Sequence, residues 1–113
     1  MSVPRLTAGL WVQAYLRRLD LAGIPAFVTA RGDATAGAVA VKLATLDGRA
    51  RAFARRWDFA SDRRLWEVLA EGAEAEVDAL LARERARDPD LWLIEIEDRA
   101  GRSLLDEEGL AES

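Results

Sequence analysis

The sequence predicts an α+β domain, a mainly antiparallel sheet of about five strands with two helices packed on one face, in the order helix, four strands, helix, strand. Three observations carry this. Two segments repeat apolar residues at the helical period, several others alternate at a period of two, and Asp47-Gly48 stands between two alternating runs where a hairpin needs its turn.

From Thr7 to Ala22 a spacing of about 100° per residue gathers Ala8, Trp11, Val12, Tyr15, Leu16, Leu19 and Ala22 on one arc, with Gln13, Arg17 and Asp20 opposite. Thr7 suits the start of this helix as a cap, and Gly23 followed by Ile24-Pro25 ends it. Leu10 and Leu21 fall outside the arc, through end effects or because a second side is covered. Residues 26–31 and 38–46 read as strands joined by the loop Gly32-Asp-Ala-Thr-Ala-Gly37. With a two-residue turn at Asp47-Gly48, the hairpin over 38–57 is expected to pair Leu46 with Arg49, Ala44 with Arg51, Lys42 with Phe53 and Ala40 with Arg55. Residues 62–71 fit a helix through Leu65, Val68 and Leu69 or a strand through Trp66, Val68 and Ala70; the hairpin connection at 58–62 favours the strand.

Glu74 to Arg87 forms the second helix, with Ala73, Val77, Leu80 and Leu81 along its apolar stripe, acids in its first turns and arginines in its last, as the helix dipole prefers. After Asp88-Pro89-Asp90, residues 91–98 alternate strongly, with Trp92, Ile94 and Ile96 opposite Leu91, Leu93, Glu95 and Glu97. Residues 1–105 are thus expected to form a single globular domain, and 106–113 an acidic, frayed tail.

Composition narrows the chemistry. Of 113 residues half are apolar and 32% charged, with neither cysteine nor histidine, which excludes thiol nucleophiles, disulfides, imidazole bases and zinc sites built on those ligands. No catalytic group, metal or cofactor site is assigned, and a binding role is favoured over an enzymatic one. The start has no cationic stretch leading into an apolar run, and no stretch has the length of a membrane span, so a cytoplasmic protein without a membrane partner is expected. Fifteen arginines stand against one lysine, beside twenty-two alanines and no asparagine, a bias that fits the codon usage of a GC-rich genome rather than nucleic-acid recognition. The net charge of −4 hides an asymmetry: residues 1–64 carry +6 and residues 65–113 carry −10, which is expected to neutralise within the fold.

The ordered segments Leu10-Trp-Val-Gln-Ala-Tyr-Leu-Arg-Arg-Leu19, Ala22-Gly-Ile-Pro25, Arg31-Gly-Asp33 with Ala36-Gly37, Leu46-Asp-Gly48, and Asp88-Pro-Asp-Leu-Trp92 with Glu95-Ile-Glu-Asp98 resemble a family of small alphaproteobacterial proteins known only as a domain of unknown function. The resemblance spans nearly the whole chain. It implies a compact bacterial domain and carries no activity, ligand or catalytic residue with it.

Four features offer chemistry. Gly32 to Gly37 has the glycines of an anion nest, but it lacks a P-loop ending and reads as a strand connection with Asp33 bonding the turn backbone. Glu95 and Glu97, about 7 Å apart on one strand face, have the spacing of an acid–base pair or a cation site, although a solvated or arginine-paired face is commoner. Lys42 would form a Schiff base only with a depressed pKa, and its small neighbours favour a surface lysine. Finally, the expected hairpin register gathers Lys42, Arg49, Arg51, Phe53, Arg55 and Trp57 on one face, a mixture of rings and cations suited to a protein partner or to stacked bases. The plainer alternatives are arginine stems lying over the rings, or the acids of the last strand pairing with the arginines.

The first reading is therefore a non-enzymatic protein-interaction module using that basic and aromatic face, its partner an unknown protein or a second copy in which Arg51 and Arg55 meet Glu95 and Glu97. The alternative is a single-stranded RNA- or DNA-binding accessory protein using the same residues, opposed by the overall acidity. A third is a carboxylate-dependent enzyme.

Overall fold

The computed structural model describes residues 6–107 and residue 110. Helix α1 (Ala8–Leu21) is followed by strands β1 (Ala26–Ala30), β2 (Val39–Ala44), β3 (Arg49–Asp58) and β4 (Arg63–Ala73), helix α2 (Glu74–Arg87) and strand β5 (Trp92–Glu97). The predicted α+β class and element order are those observed, and residues 62–71 take the strand alternative. The five strands form one open sheet in the order β1-β5-β2-β3-β4. Every neighbouring pair is antiparallel except β2 and β5, which run parallel.

The ends of α1 follow local chemistry. Thr7 accepts the amide of Leu10 at 3.4 Å, and Gly23 takes a φ of 74° that a Cβ would oppose. The amides of Ala8 and Gly9 donate to the carbonyls of Thr35 and Ala34, so the glycine-flanked loop caps a helix. Within that loop the Asp33 carboxylate accepts the amides of Thr35 and Ala36, as the turn reading expects. Helix α2 has no side-chain cap; its first amide donates to the Gly48 carbonyl at 2.9 Å, which fastens the helix to the β2–β3 loop.

The prediction that both helices share one face of the sheet is corrected. Trp11, Val12, Tyr15 and Leu19 of α1 pack on Val39, Val41 and Leu43 of β2 and on Trp92, Ile94 and Ile96 of β5. Val77 and Leu81 of α2 pack on Ala40, Ala50, Ala52 and Leu91, from the opposite side. The reason is that β2 is buried on both sides, with all six residues covered: Val39, Val41 and Leu43 fill the α1 side, and on the other side the alanines flanking Lys42 let α2 approach. Full burial of each large side chain contributes about 1.5–3 kcal/mol, which concentrates the stability on the α1 side.

The hairpin register is also corrected. Ala44 pairs with Ala50, Lys42 with Ala52, Val41 with Phe53 and Ala40 with Ala54, one residue away from the pairing expected for a two-residue turn. Leu46 adopts a φ of 63° and Gly48 one of 86°, so the loop has three residues between the paired Thr45 and Arg49. The Asp47 carboxylate closes it by accepting the Thr45 hydroxyl at 2.6 Å and the Arg49 amide at 3.1 Å. Because side chains alternate, a slip of one residue moves each to the other face.

Of the segment expected to fray, Leu110 is buried in the core and its carbonyl accepts the Trp66 indole N–H at 3.0 Å. Residues 108, 109 and 111–113 of that tail lie outside the described residues.

Candidate interaction site

The corrected register divides the nominated residues between two faces. Lys42 turns toward α2, while Arg49, Arg51, Phe53 and Arg55 share the parity of Val41 and Leu43. Phe53 packs against the α1-side core, and the Arg51 Nε lies 2.9 Å from Glu71. The Arg55 guanidinium lies beside two indoles that touch each other, 4.9 Å from the Trp11 ring and 5.3 Å from that of Trp66, the two ring centroids being 5.3 Å apart. Arg49 and Arg51 line an open cleft with Glu71 and Arg99. Trp57 pairs with Arg64 through its backbone, and its side chain lies outside the described residues.

Lys42 is buried rather than a surface lysine. Its side chain is 8% exposed, and its ammonium meets Asp78 at 2.6 Å, Glu74 at 2.8 Å and Glu95 at 3.1 Å. The fold explains the convergence. Glu95 stands beside Lys42 in the parallel register, and Glu74 and Asp78 lie one helical turn apart on α2. Three N–H donors meet three carboxylates, which satisfies the ammonium completely. Burial alone would press the Lys42 pKa down, but the hydrogen bonds its ammonium donates to Asp78, Glu74 and Glu95 outweigh it and hold the group above its ordinary range. A charged ammonium is no Schiff-base nucleophile at neutral pH. The cluster instead ties α2 to β2 and β5 and leaves a local charge of −2. Glu95, proposed by the sequence as a partner of Glu97, belongs here.

Sequence reasoning missed Glu74 and Asp78. Their signal was an acidic pair at i and i+4 in the first turns of a helix, in a chain with one lysine set among alanines.

Between α2 and β1 the cluster opens into a groove of about 860 Å³, lined by Thr29 and Ala30 on one side and Leu81, Ala82 and Arg85 on the other, over a floor of Leu93 and Glu95. The groove exists because α2 covers the β2–β4 side of the sheet and leaves β5 and β1 open on that face. Strand β1 is an edge of the sheet. Phe27 pairs with Glu95 and is 52% exposed; Val28 pairs with Ile94 and is 39% exposed. Pro25 accepts the Glu97 amide at 3.1 Å, and the antiparallel ladder then alternates. Phe27 therefore directs its backbone groups to β5, while Ala26 and Val28 direct theirs outward. The whole stretch from Leu21 to Ala30 carries no charge. The other edge differs: β4 bears Arg63, Arg64, Glu67 and Glu71, pairs Glu67 with Arg56 and Glu71 with Arg51, and is interrupted by a bulge. Charges and bulges of that kind guard an edge against pairing, and β1 has only a preceding proline and a bulge at its far end.

No helix among the described residues is long and apolar enough to cross a membrane. A family model described as a protein of unknown function (DUF1491) matches residues 6–106. The crystal structure of a DUF1491 family protein from Caulobacter crescentus is similar, with a TM-score of 0.80 and 40% identity over 90% of this chain and 94% of that one. An NMR structure of a DUF1491 family protein from the same organism gives 0.80 and 39% over 93% and 96%. A solution structure of a protein from A. tumefaciens gives 0.71 and 36% over 95% and 92%. No protein of curated function matches.

Proposed function

The chain belongs to the DUF1491 family of proteins of unknown function, and we propose that it acts as a non-enzymatic protein-interaction module, engaging its partner by strand addition along the free edge of β1. The observation that carries this is that edge itself: uncharged, apolar at Phe27 and Val28, with the amides and carbonyls of Ala26 and Val28 directed outward. The Lys42 cluster supports the role from behind, since it fixes α2 away from β1 and keeps the adjoining groove open. This reading is preferred to nucleic-acid binding because Phe53 packs on the core and Arg55 lies against Trp11 and Trp66.

Affinity capture from bacterial extract with tagged wild type and with Val28→Pro tests it. Proline at 28 removes an outward amide and no bond to β5, so the fold is expected to persist. The reading expects Val28→Pro to lose the proteins that wild type retains. In extract that also contains the untagged chain, an identical retained set for the two baits, that chain included, would contradict it.

A further inference from the structure

We propose that the occupant of the β1 edge is a second copy of this chain, paired antiparallel about a two-fold axis at Phe27, so that two sheets run on as one. The proposal rests on the strand-addition reading and names its partner.

The ladder geometry selects the register. With the axis at Phe27, Ala26 of one copy faces Val28 of the other, and the reverse. Both residues direct N–H and C=O outward, so every exposed backbone group of the two pairs finds a partner. Pro25, which has no N–H, falls where no donor is required. An axis at Val28 is poorer: it would oppose Ala26 to Ala30, which lies beyond the β1 bulge and pairs with Leu93 of its own sheet.

Side chains agree with the same axis. The two Phe27 rings become a non-hydrogen-bonded pair, the arrangement in which cross-strand side chains approach most closely, and the half-exposed ring is covered by its own equivalent. Charge favours a like copy. Ten uncharged residues, Leu21 to Ala30, meet ten uncharged residues, so no side-chain charge is stripped of water at the contact.

Light scattering on the purified chain, with a protomer mass of 12.4 kDa, tests the inference over a dilution series. Wild type is expected to reach twice that mass. Phe27→Glu and Phe27→Lys, each placing like charges across the axis, are each expected to weaken association by roughly tenfold or more, and an equimolar mixture of the two is expected to restore the dimer. A wild type that stays at protomer mass at every concentration overturns the second copy as occupant; if Val28→Pro still loses a foreign protein in the capture experiment, strand addition survives that failure. A dimer indifferent to both charge variants, or a mixture that stays dissociated, overturns the register. Should the charge variants fail to fold, Phe27→Cys serves, because the chain has no other cysteine. It is expected to oxidise to a covalent dimer faster than Leu21→Cys, and an equal or slower rate overturns the proposal.

Discussion

Replacing Lys42 by Met removes the ammonium and keeps the length of the side chain, which leaves Glu74, Asp78 and Glu95 facing one another across a site that is closed on the sheet side. Removing one partner of a fully buried ion pair destabilises by about 3–5 kcal/mol, whereas exposed pairs contribute about 0–1 kcal/mol. Here the lysine side chain is 8% exposed but the carboxylates are 31%, 40% and 53% exposed, so water screens half of the cluster. An intermediate loss of about 2 kcal/mol is expected, a fall in Tm of roughly 8 °C for a domain of this size. The pH dependence follows from the raised Lys42 pKa. The stabilisation is complete below the unfolded lysine value and is lost as pH rises through the higher folded one. Thermal melts of wild type and Lys42→Met are therefore expected to differ by a constant amount from pH 6 to about 10, then to converge at more alkaline pH. A variant as stable as wild type at pH 7, or a difference that already vanishes by pH 9, would refute the reasoning.

Three further outcomes are expected. A Cβ at Gly32 runs into the Asp90 carbonyl and the Trp92 ring, so Gly32→Ala is expected to destabilise by about 1–3 kcal/mol in denaturant titration. The Thr45 hydroxyl and then the Arg49 amide hold the Asp47 carboxyl below its ordinary range. That contribution is present above the unfolded carboxylate value and is lost as pH falls through the folded one, so Asp47→Ala is expected to melt below wild type at pH 7 and to draw level with it as pH falls below the carboxylate range. Arg55→Met keeps bulk against the contacting rings of Trp11 and Trp66 but removes the cation. A loss of about 1 kcal/mol and a shift in tryptophan emission are expected, and unchanged emission would argue against the ring contacts.

The kinds of element were legible because their signals are local: the apolar arc of Trp11, Tyr15 and Leu19, the alternation of Trp92, Ile94 and Ile96, and the acids and arginines at the two ends of α2. The register was not, because Asp47-Gly48 serves equally in a two-residue turn and at the end of a three-residue loop, and the left-handed conformation of Leu46 is not one its side chain favours. That one residue separated Lys42 from Arg49, Arg51, Phe53 and Arg55, which still share one face. Nor does any local pattern say that β5 enters between β1 and β2, the step that sets Glu95 beside Lys42 and leaves β1 at the edge. The candidate site is therefore a product of topology, and only its members, Phe27 and Lys42 among them, stand in the sequence.

Amide hydrogen exchange along β1, read residue by residue as protein concentration rises, tests the free edge most directly. Phe27, bonded to β5, is expected to exchange slowly throughout, while Ala26 and Val28 are fast in dilute solution and become protected together as the edge is occupied. Fast exchange at Ala26 and Val28 at every concentration and in the presence of extract, or slow exchange at both in dilute protomer, would contradict the account.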